Sequence, residues 1–152
     1  MTNPRFDPKH SGFAARVQAS FERQPAMKTI GAALSEVAPG RVVVELPWTA
    51  GLTQQHGFLH GGMLATALDT ACGYAGLSLM PEDAAVLTIE FKINFLAPAS
   101  GQRFRLVGEV VKPGRTVTVA EGRAFAIEEG SEKLVATMTA TLMVAMGRGV
   151  QD

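Results

Sequence analysis

Hydrophobic positions change their spacing four times along this chain, and each change predicts an element. Phe13, Val17 and Phe21 recur every fourth residue with polar residues between them. That spacing predicts a short amphipathic helix over residues 11–23, with Ser11 as its N-cap and Gln24-Pro25 ending it. Residues 30–37 read as a weak strand, and Pro39-Gly40 as a turn. Val42, Val44, Leu46 and Trp48 then alternate with Arg41, Val43, Glu45 and Pro47, which predicts a half-buried strand. Residues 49–59 are glycine-rich and aperiodic, hence a loop. From residue 61 to 80 the chain is apolar all round, the pattern of a helix buried in a core. Pro81-Glu82-Asp83 breaks it. Leu87, Ile89, Phe91, Ile93 and Phe95 next alternate with Thr88, Glu90, Lys92 and Asn94, the cleanest period of two in the chain. Further strands are predicted near residues 103–111, 116–127 and 133–146, separated by turns at 97–101, 112–115 and 128–131. In the middle one, Thr116, Thr118, Ala120, Gly122, Ala124 and Ala126 present a small-residue face that lets a larger element press close.

Consecutive strands with tight turns imply an antiparallel sheet, and one helix apolar on every side must be wrapped by it. The predicted fold class is α+β: five to six antiparallel strands around one long central helix, with an extra helix at the N-terminus. At 152 residues the chain is one domain, with residues 1–10 and 147–152 expected as flexible tails. Fourteen basic residues balance fourteen acidic ones, so net charge gives no support for nucleic-acid or membrane-surface binding. Cys72 is the single cysteine and reads as a small buried hydrophobe. No apolar run of signal-peptide length opens the chain, which makes a cytoplasmic location the expectation. Residues 61–80 have the length of a membrane span, but Asp69, Thr66, Thr70 and several glycines argue for a helix inside a soluble protein.

Asp69 is the only charged residue in that apolar segment. A carboxylate there is costly unless paired, hydrogen-bonded or needed for chemistry. His60-Gly61-Gly62 opens the same helix, where free backbone N–H groups and the positive end of the helix dipole suit a polarised carbonyl or an oxyanion. Asp69 follows His60 by nine residues, about 13 Å on an ideal helix. The two ends therefore cannot easily act on one atom from one helix. Two copies of the helix meeting at an interface would bring them together, with the acid as general base or nucleophile. His56 and His60 are spaced as a zinc pair, yet they lie in a loop without a further His or Cys cluster, so no metal is expected. Gln54 and Gln55 supply amides upstream of the helix, and Thr88 opens the best strand. Lys112, Gly114, Arg115 and Thr116 form a turn with two cations and backbone donors, which suits a phosphate.

With HGG at 60–62, Asp69 nine residues on, the loop 54–59, QPAM at 24–27, FLAPA at 95–99 and KPGRT at 112–116, the chain resembles the PaaI-like acyl-CoA thioesterases of the hotdog-fold superfamily. The resemblance covers roughly residues 24–146. It implies a hotdog fold paired into a homodimer, and commonly a homotetramer, with active sites between subunits and no cofactor beyond the coenzyme A of the substrate. It further implies that the Gly61 N–H polarises the thioester carbonyl, that the partner subunit's Asp69 activates water or attacks directly, and that Thr88 assists. The turn at residues 112–116 would hold coenzyme A. Relatives carry asparagine six residues before the HGG histidine; here that position is Gln54, so Gln54 or Gln55 takes the role. His60, His56, Gly62, Phe58, Leu64 and Tyr74 complete the expected site and acyl pocket. Two other readings stay open: a hydratase or dehydratase acting on acyl thioesters, and a non-catalytic acyl-CoA-binding module.

Overall fold

The computed structural model describes residues 6–152. Helices α1 (Phe13–Glu22) and α2 (Pro25–Ile30) lead into strands β1 (Ala33–Ala38) and β2 (Arg41–Pro47). The central helix α3 (Gly61–Leu77) follows, and then β3 (Ala85–Phe95), β4 (Arg103–Lys112), β5 (Val117–Glu128) and β6 (Ser131–Ala145). The six strands form one antiparallel sheet in the order β1-β2-β4-β5-β6-β3. Helix α3 packs against β2, β3, β4, β5 and β6. Its side chains Leu64, Leu68 and Leu77 join Val42, Val44, Leu46, Phe104, Leu106 and Leu142 in the core, all fully buried. This is the predicted α+β architecture. Among the described residues no helix is long and apolar enough to cross a membrane.

Close approach between helix and sheet rests on small residues. A Cβ on Gly108 of β4 would lie 2.4 Å from the Ala71 carbonyl, and one on Gly122 of β5 would lie 2.9 Å from Leu68. Ala120 and Ala124 flank Gly122 on the same face and are fully buried. The small-residue face expected near 116–127 therefore exists and seats α3.

Local capping differs from expectation at the N-terminus. Helix α1 begins after Gly12, and Ser11 makes no cap. Gln24-Pro25 does end α1, but Pro25 also starts α2, because proline at the first helical position loses no hydrogen bond. Gly31, in the left-handed region at φ 74°, closes α2. The weak strand predicted over 30–37 consequently starts later, at Ala33.

Strand β3 carries a bulge that its sequence hides. Thr88 pairs with Leu142, and Glu90 pairs with Thr141, so Ile89 is one extra residue in the ladder. One extra residue reverses the alternation. Before it, Thr88 faces the helix; after it, Phe91, Ile93 and Phe95 do so, opposite Ala140, Met138 and Ala136. Thr88 thus does not share a face with Glu90, Lys92 and Asn94, as strict alternation predicts. Strand β3 is an edge of the sheet, and Leu87, Ile89, Phe91 and Phe95 are each more than 40% exposed.

The chain end folds back rather than trailing. The Asp152 carboxylate accepts from Ser20 Oγ on α1 at 2.9 Å and from the Val86 N–H on β3 at 2.6 Å. Of the expected tails, residues 1–5 lie outside the described residues.

Candidate active site

The two chemical features of α3 sit at separate openings. At the N-terminal end His60 is the N-cap: its Nδ1 accepts the Gly62 N–H at 2.8 Å, and its carbonyl accepts from Met63 and Leu64. That leaves the Gly61 N–H without an acceptor among the described residues. A Cβ on Gly61 would stand 2.8 Å from the Phe95 ring, so glycine lets that ring lie over the helix start. An open cavity of about 590 Å³ adjoins it, lined by Gln54, Phe58, Gly61, Phe95, Leu96 and the 97–99 segment. Its walls are mostly apolar, and the Gly61 residue that carries the unpaired N–H is among them.

Gln54 and Gln55 separate here. Gln54 lines this cavity, and its Oε1 also accepts the His56 N–H, which ties the loop into a turn. Gln55 is exposed and lies beside the His56 ring, 3.4 Å away. His56 lines neither opening. Among the described residues no group of three or more His, Cys, Asp or Glu side chains stands ready for a metal ion.

At the other opening, Asp69 Oδ1 accepts from Thr88 Oγ1 at 2.8 Å, a contact that the β3 bulge makes. Burial pushes the Asp69 pKa above the usual aspartate value, and the Thr88 hydrogen bond partly opposes the rise. Gln24, Asp69, Thr70, Gly73, Tyr74, Val86, Thr88 and Asp152 line a cleft of about 140 Å³. Tyr74 is held from below: its hydroxyl lies 3.0 Å from Ser20 Oγ, and its ring packs 6.0 Å from that of Phe21. One turn of helix away on the core side, Cys72 is fully buried, and burial pushes its thiol up to about 12. It is inert as a nucleophile at neutral pH.

Other expected site residues fall elsewhere. Leu64 is fully buried against the sheet and lines neither opening, because its position on α3 points into the core. Gly62 is held by His60 and lines neither opening. The turn at residues 112–116 lies across the sheet from Thr88, one strand beyond Leu142: Thr118 pairs with Leu142, which pairs with Thr88. Lys112, Arg115 and Thr116 are exposed there, and neither cation has a salt-bridge partner among the described residues. A Cβ on Gly114 would lie 1.9 Å from the Val117 carbonyl, so the turn requires glycine. Sequence reasoning missed Gln24 and Asp152, which nothing in local spacing brings to Asp69.

A family model described as the thioesterase superfamily matches residues 56–133, half of the chain. The chain belongs to the thioesterase superfamily. Thioesterase-superfamily likeness extends to solved structures. The crystal structure of a thioesterase family protein from Silicibacter pomeroyi superposes with a TM-score of 0.88 at 58% identity, covering 90% of this chain and 100% of that one. Together with the sheet order and the enclosed helix, this makes the fold a hotdog. The Saccharolobus solfataricus protein SSO2140 is 42% identical over 83 residues, 54% of this chain and 58% of its own length. Escherichia coli YigI, a medium/long-chain acyl-CoA thioesterase, is 31% identical over 99 residues, 57% of this chain and 62% of its own. The chain thus spans less than two thirds of these two curated relatives.

Proposed function

We propose that the protein hydrolyses acyl- or aryl-acyl-CoA thioesters to the free acid and coenzyme A, at a site completed by two subunits. The observation that carries this reading is the split of complementary groups along one helix. The Gly61 N–H lacks an acceptor at one opening, and a half-buried carboxylate held by Thr88 stands at the other. Eight residues separate them, about 12 Å along an ideal helix.

Strand β3 supplies a way to join the halves. It is an edge strand with exposed apolar side chains, and it runs from Thr88, beside Asp69, to Phe95, over Gly61. Two-fold antiparallel pairing of β3 with a second copy sets the Thr88 end of one chain against the Phe95 end of the other. Asp69 of one protomer then approaches Gly61 of its partner. A tetramer is a pair of such dimers.

The chemistry follows from the groups. The Gly61 N–H, at the positive end of the α3 dipole, polarises the thioester carbonyl. Asp69 takes a proton from water as its oxygen attacks the carbonyl carbon. The resulting oxyanion rests on the Gly61 N–H. The C–S bond then breaks, and the CoA sulfur leaves with the proton that Asp69 held. Thr88 orients the carboxylate, and the raised Asp69 pKa makes it a stronger base than an ordinary aspartate. Gln54 faces the carbonyl side, and Phe58 and Phe95 border it. Lys112, Gly114, Arg115 and Thr116 hold the CoA phosphates.

YigI hydrolyses acyl-CoA by its name, which supports the reading without choosing the acyl group. Thiol release from a panel of aliphatic and aromatic acyl-CoAs tests it. Release that disappears in Asp69→Ala, with the oligomer intact, is expected; hydration of an enoyl-CoA without thiol release would support a hydratase instead. Hydrolysis in ¹⁸O water under single turnover places label in the acid directly for a base. With a nucleophile, water attack on the Asp69 carbonyl of the acyl-enzyme anhydride puts the first label in Asp69.

A further inference from the structure

Residues 147–152 leave the end of β6 and arch back toward α1. Gly147 and Gly149, at φ 62° and 73°, hold the left-handed backbone of that reversal. Among the described residues, no backbone group of this segment is hydrogen-bonded to backbone elsewhere, and none of its residues belongs to the hydrophobic core. Residues 147–151 are exposed, and an open cavity of about 380 Å³ separates them from Asp83. The segment therefore stands off the body of the protein over most of its length.

One side chain ties it down. The Asp152 carboxylate takes the Ser20 hydroxyl of α1 with one oxygen and the Val86 N–H of β3 with the other. Ser20 Oγ also lies 3.0 Å from the Tyr74 hydroxyl of α3, so the hold joins three elements at one point. Breaking it disturbs no core packing, and a segment secured this way opens far more readily than the fold melts.

The same carboxylate stands at a boundary. Asp152 lines the cleft beside Asp69, whereas Gly147, Gly149, Val150 and Gln151 line the larger cavity. The cleft, at about 140 Å³, is close to the size of engineered cavities that take up one benzene ring, so it has room for a short acyl group and no more. With the Asp152 hydrogen bonds broken, the segment turns at its glycines and the two spaces join.

We infer that Asp152 is a length-determining residue, which latches residues 147–152 as a strap across the end of the Asp69 cleft and excludes long acyl chains until the latch opens. The inference rests on the thioesterase reading, which puts the acyl group in that cleft. A long chain displaces Asp152 and runs beneath the strap beside Val150; a short one leaves the latch closed.

The test measures hydrolysis of butyryl-, octanoyl- and lauroyl-CoA and equilibrium binding of the non-hydrolysable S-butyl-, S-octyl- and S-dodecyl-CoA thioethers. Asp152→Ala should raise the octanoyl-to-butyryl ratio of kcat/KM, and the matching ratio of affinities, roughly tenfold, the effect of burying about two further methylenes. A chain ending at Met146 should behave likewise. Asp152→Asn, which keeps an acceptor for Val86, should stay near the wild-type ratio, and this separates the latch from a change of charge. Trypsin reads the strap directly, because Arg148 lies in it and is exposed. Cleavage after Arg148 should be severalfold faster in Asp152→Ala than in wild type, and faster in wild type saturated with S-dodecyl-CoA than with S-butyl-CoA. Ratios unchanged in both Asp152→Ala and the shortened chain overturn the inference, as does S-dodecyl-CoA that binds without speeding cleavage. A shift in thioether binding without hydrolysis of any thioester would sustain the strap while removing the thioesterase reading. Hydrolysis with an unshifted length profile would do the reverse.

Discussion

The two ends of α3 are built on opposite principles. At its start the groups are backbone: a histidine cap uses one N–H and leaves the neighbouring one, on Gly61, open to an apolar cavity. Eight residues later the group is a side chain, a carboxylate half withdrawn from water and kept in place by one hydroxyl. One end offers a donor without a base; the other offers a base without a donor for the carbonyl. Neither is a hydrolytic site alone. On the proposed reading the helix carries two half-sites, and pairing of the β3 edge with a second copy is what brings them together.

The comparison breaks most sharply at the base. Asp69→Ala should lower kcat by a factor on the order of 10³ or more, read by thiol release, with sedimentation unchanged. At the other end, Gly61→Pro removes the N–H and also sets a Cβ about 2.8 Å from the Phe95 ring, which must turn aside. Proline suits the first helical position, and His60 before it already has the extended backbone that a following proline requires, at φ −63° and ψ 133°. Loss of one such donor should cost about 10²–10³ in kcat. The helix should survive, as circular dichroism would show.

Thr88→Val sharpens the contrast, because it touches the base through its support. The Thr88 hydrogen bond holds the Asp69 pKa down, so its loss raises that pKa further. The acid limb of the kcat/KM profile should move to higher pH. Activity at mildly acidic pH should fall roughly tenfold, with recovery in alkaline buffer. A stability measurement gives the smaller counterpart. The folded Asp69 pKa lies above its unfolded value, so wild type loses stability as pH rises from the ordinary aspartate range through the folded value. Asp69→Asn cannot ionise and escapes that loss. Its Tm should exceed that of wild type by a few degrees at neutral pH, and the gap should close in acid. As a control on the shared framework, Gly108→Ala drives a Cβ toward the Ala71 backbone and should cost about 1–3 kcal/mol in stability without moving either pH limb.

Residues that state their own environment made most of this legible in the sequence. An apolar run broken by one aspartate marks the buried helix and the carboxylate that Thr88 holds. Gly122 between alanines marks the face on which that helix rests. The turn at 112–116 and the edge alternation of residues 87–95 are equally visible. What stays hidden depends on partners distant in the chain. Ile89 looks like one more alternating residue, and only its pairing with β6 shows it to be the extra one that turns Thr88 toward Asp69. Pro25 reads as a terminator, although it ends one helix and begins the next. Leu64 looks as suitable for a pocket as Phe58, but the turn of α3 points it into the core. Gln24 and Asp152 reach the Asp69 cleft through tertiary folding alone.

Mixing two inactive proteins tests the shared site most directly. Asp69→Ala and Gly61→Pro protomers are unfolded together in equal amounts and refolded. A mixed dimer then holds one intact site, Asp69 from one protomer with Gly61 from the other. Half the dimers are mixed and each has one of two sites, so about a quarter of wild-type thiol release should return. Activity no higher than the average of the two parents would contradict a site built across the β3 edge.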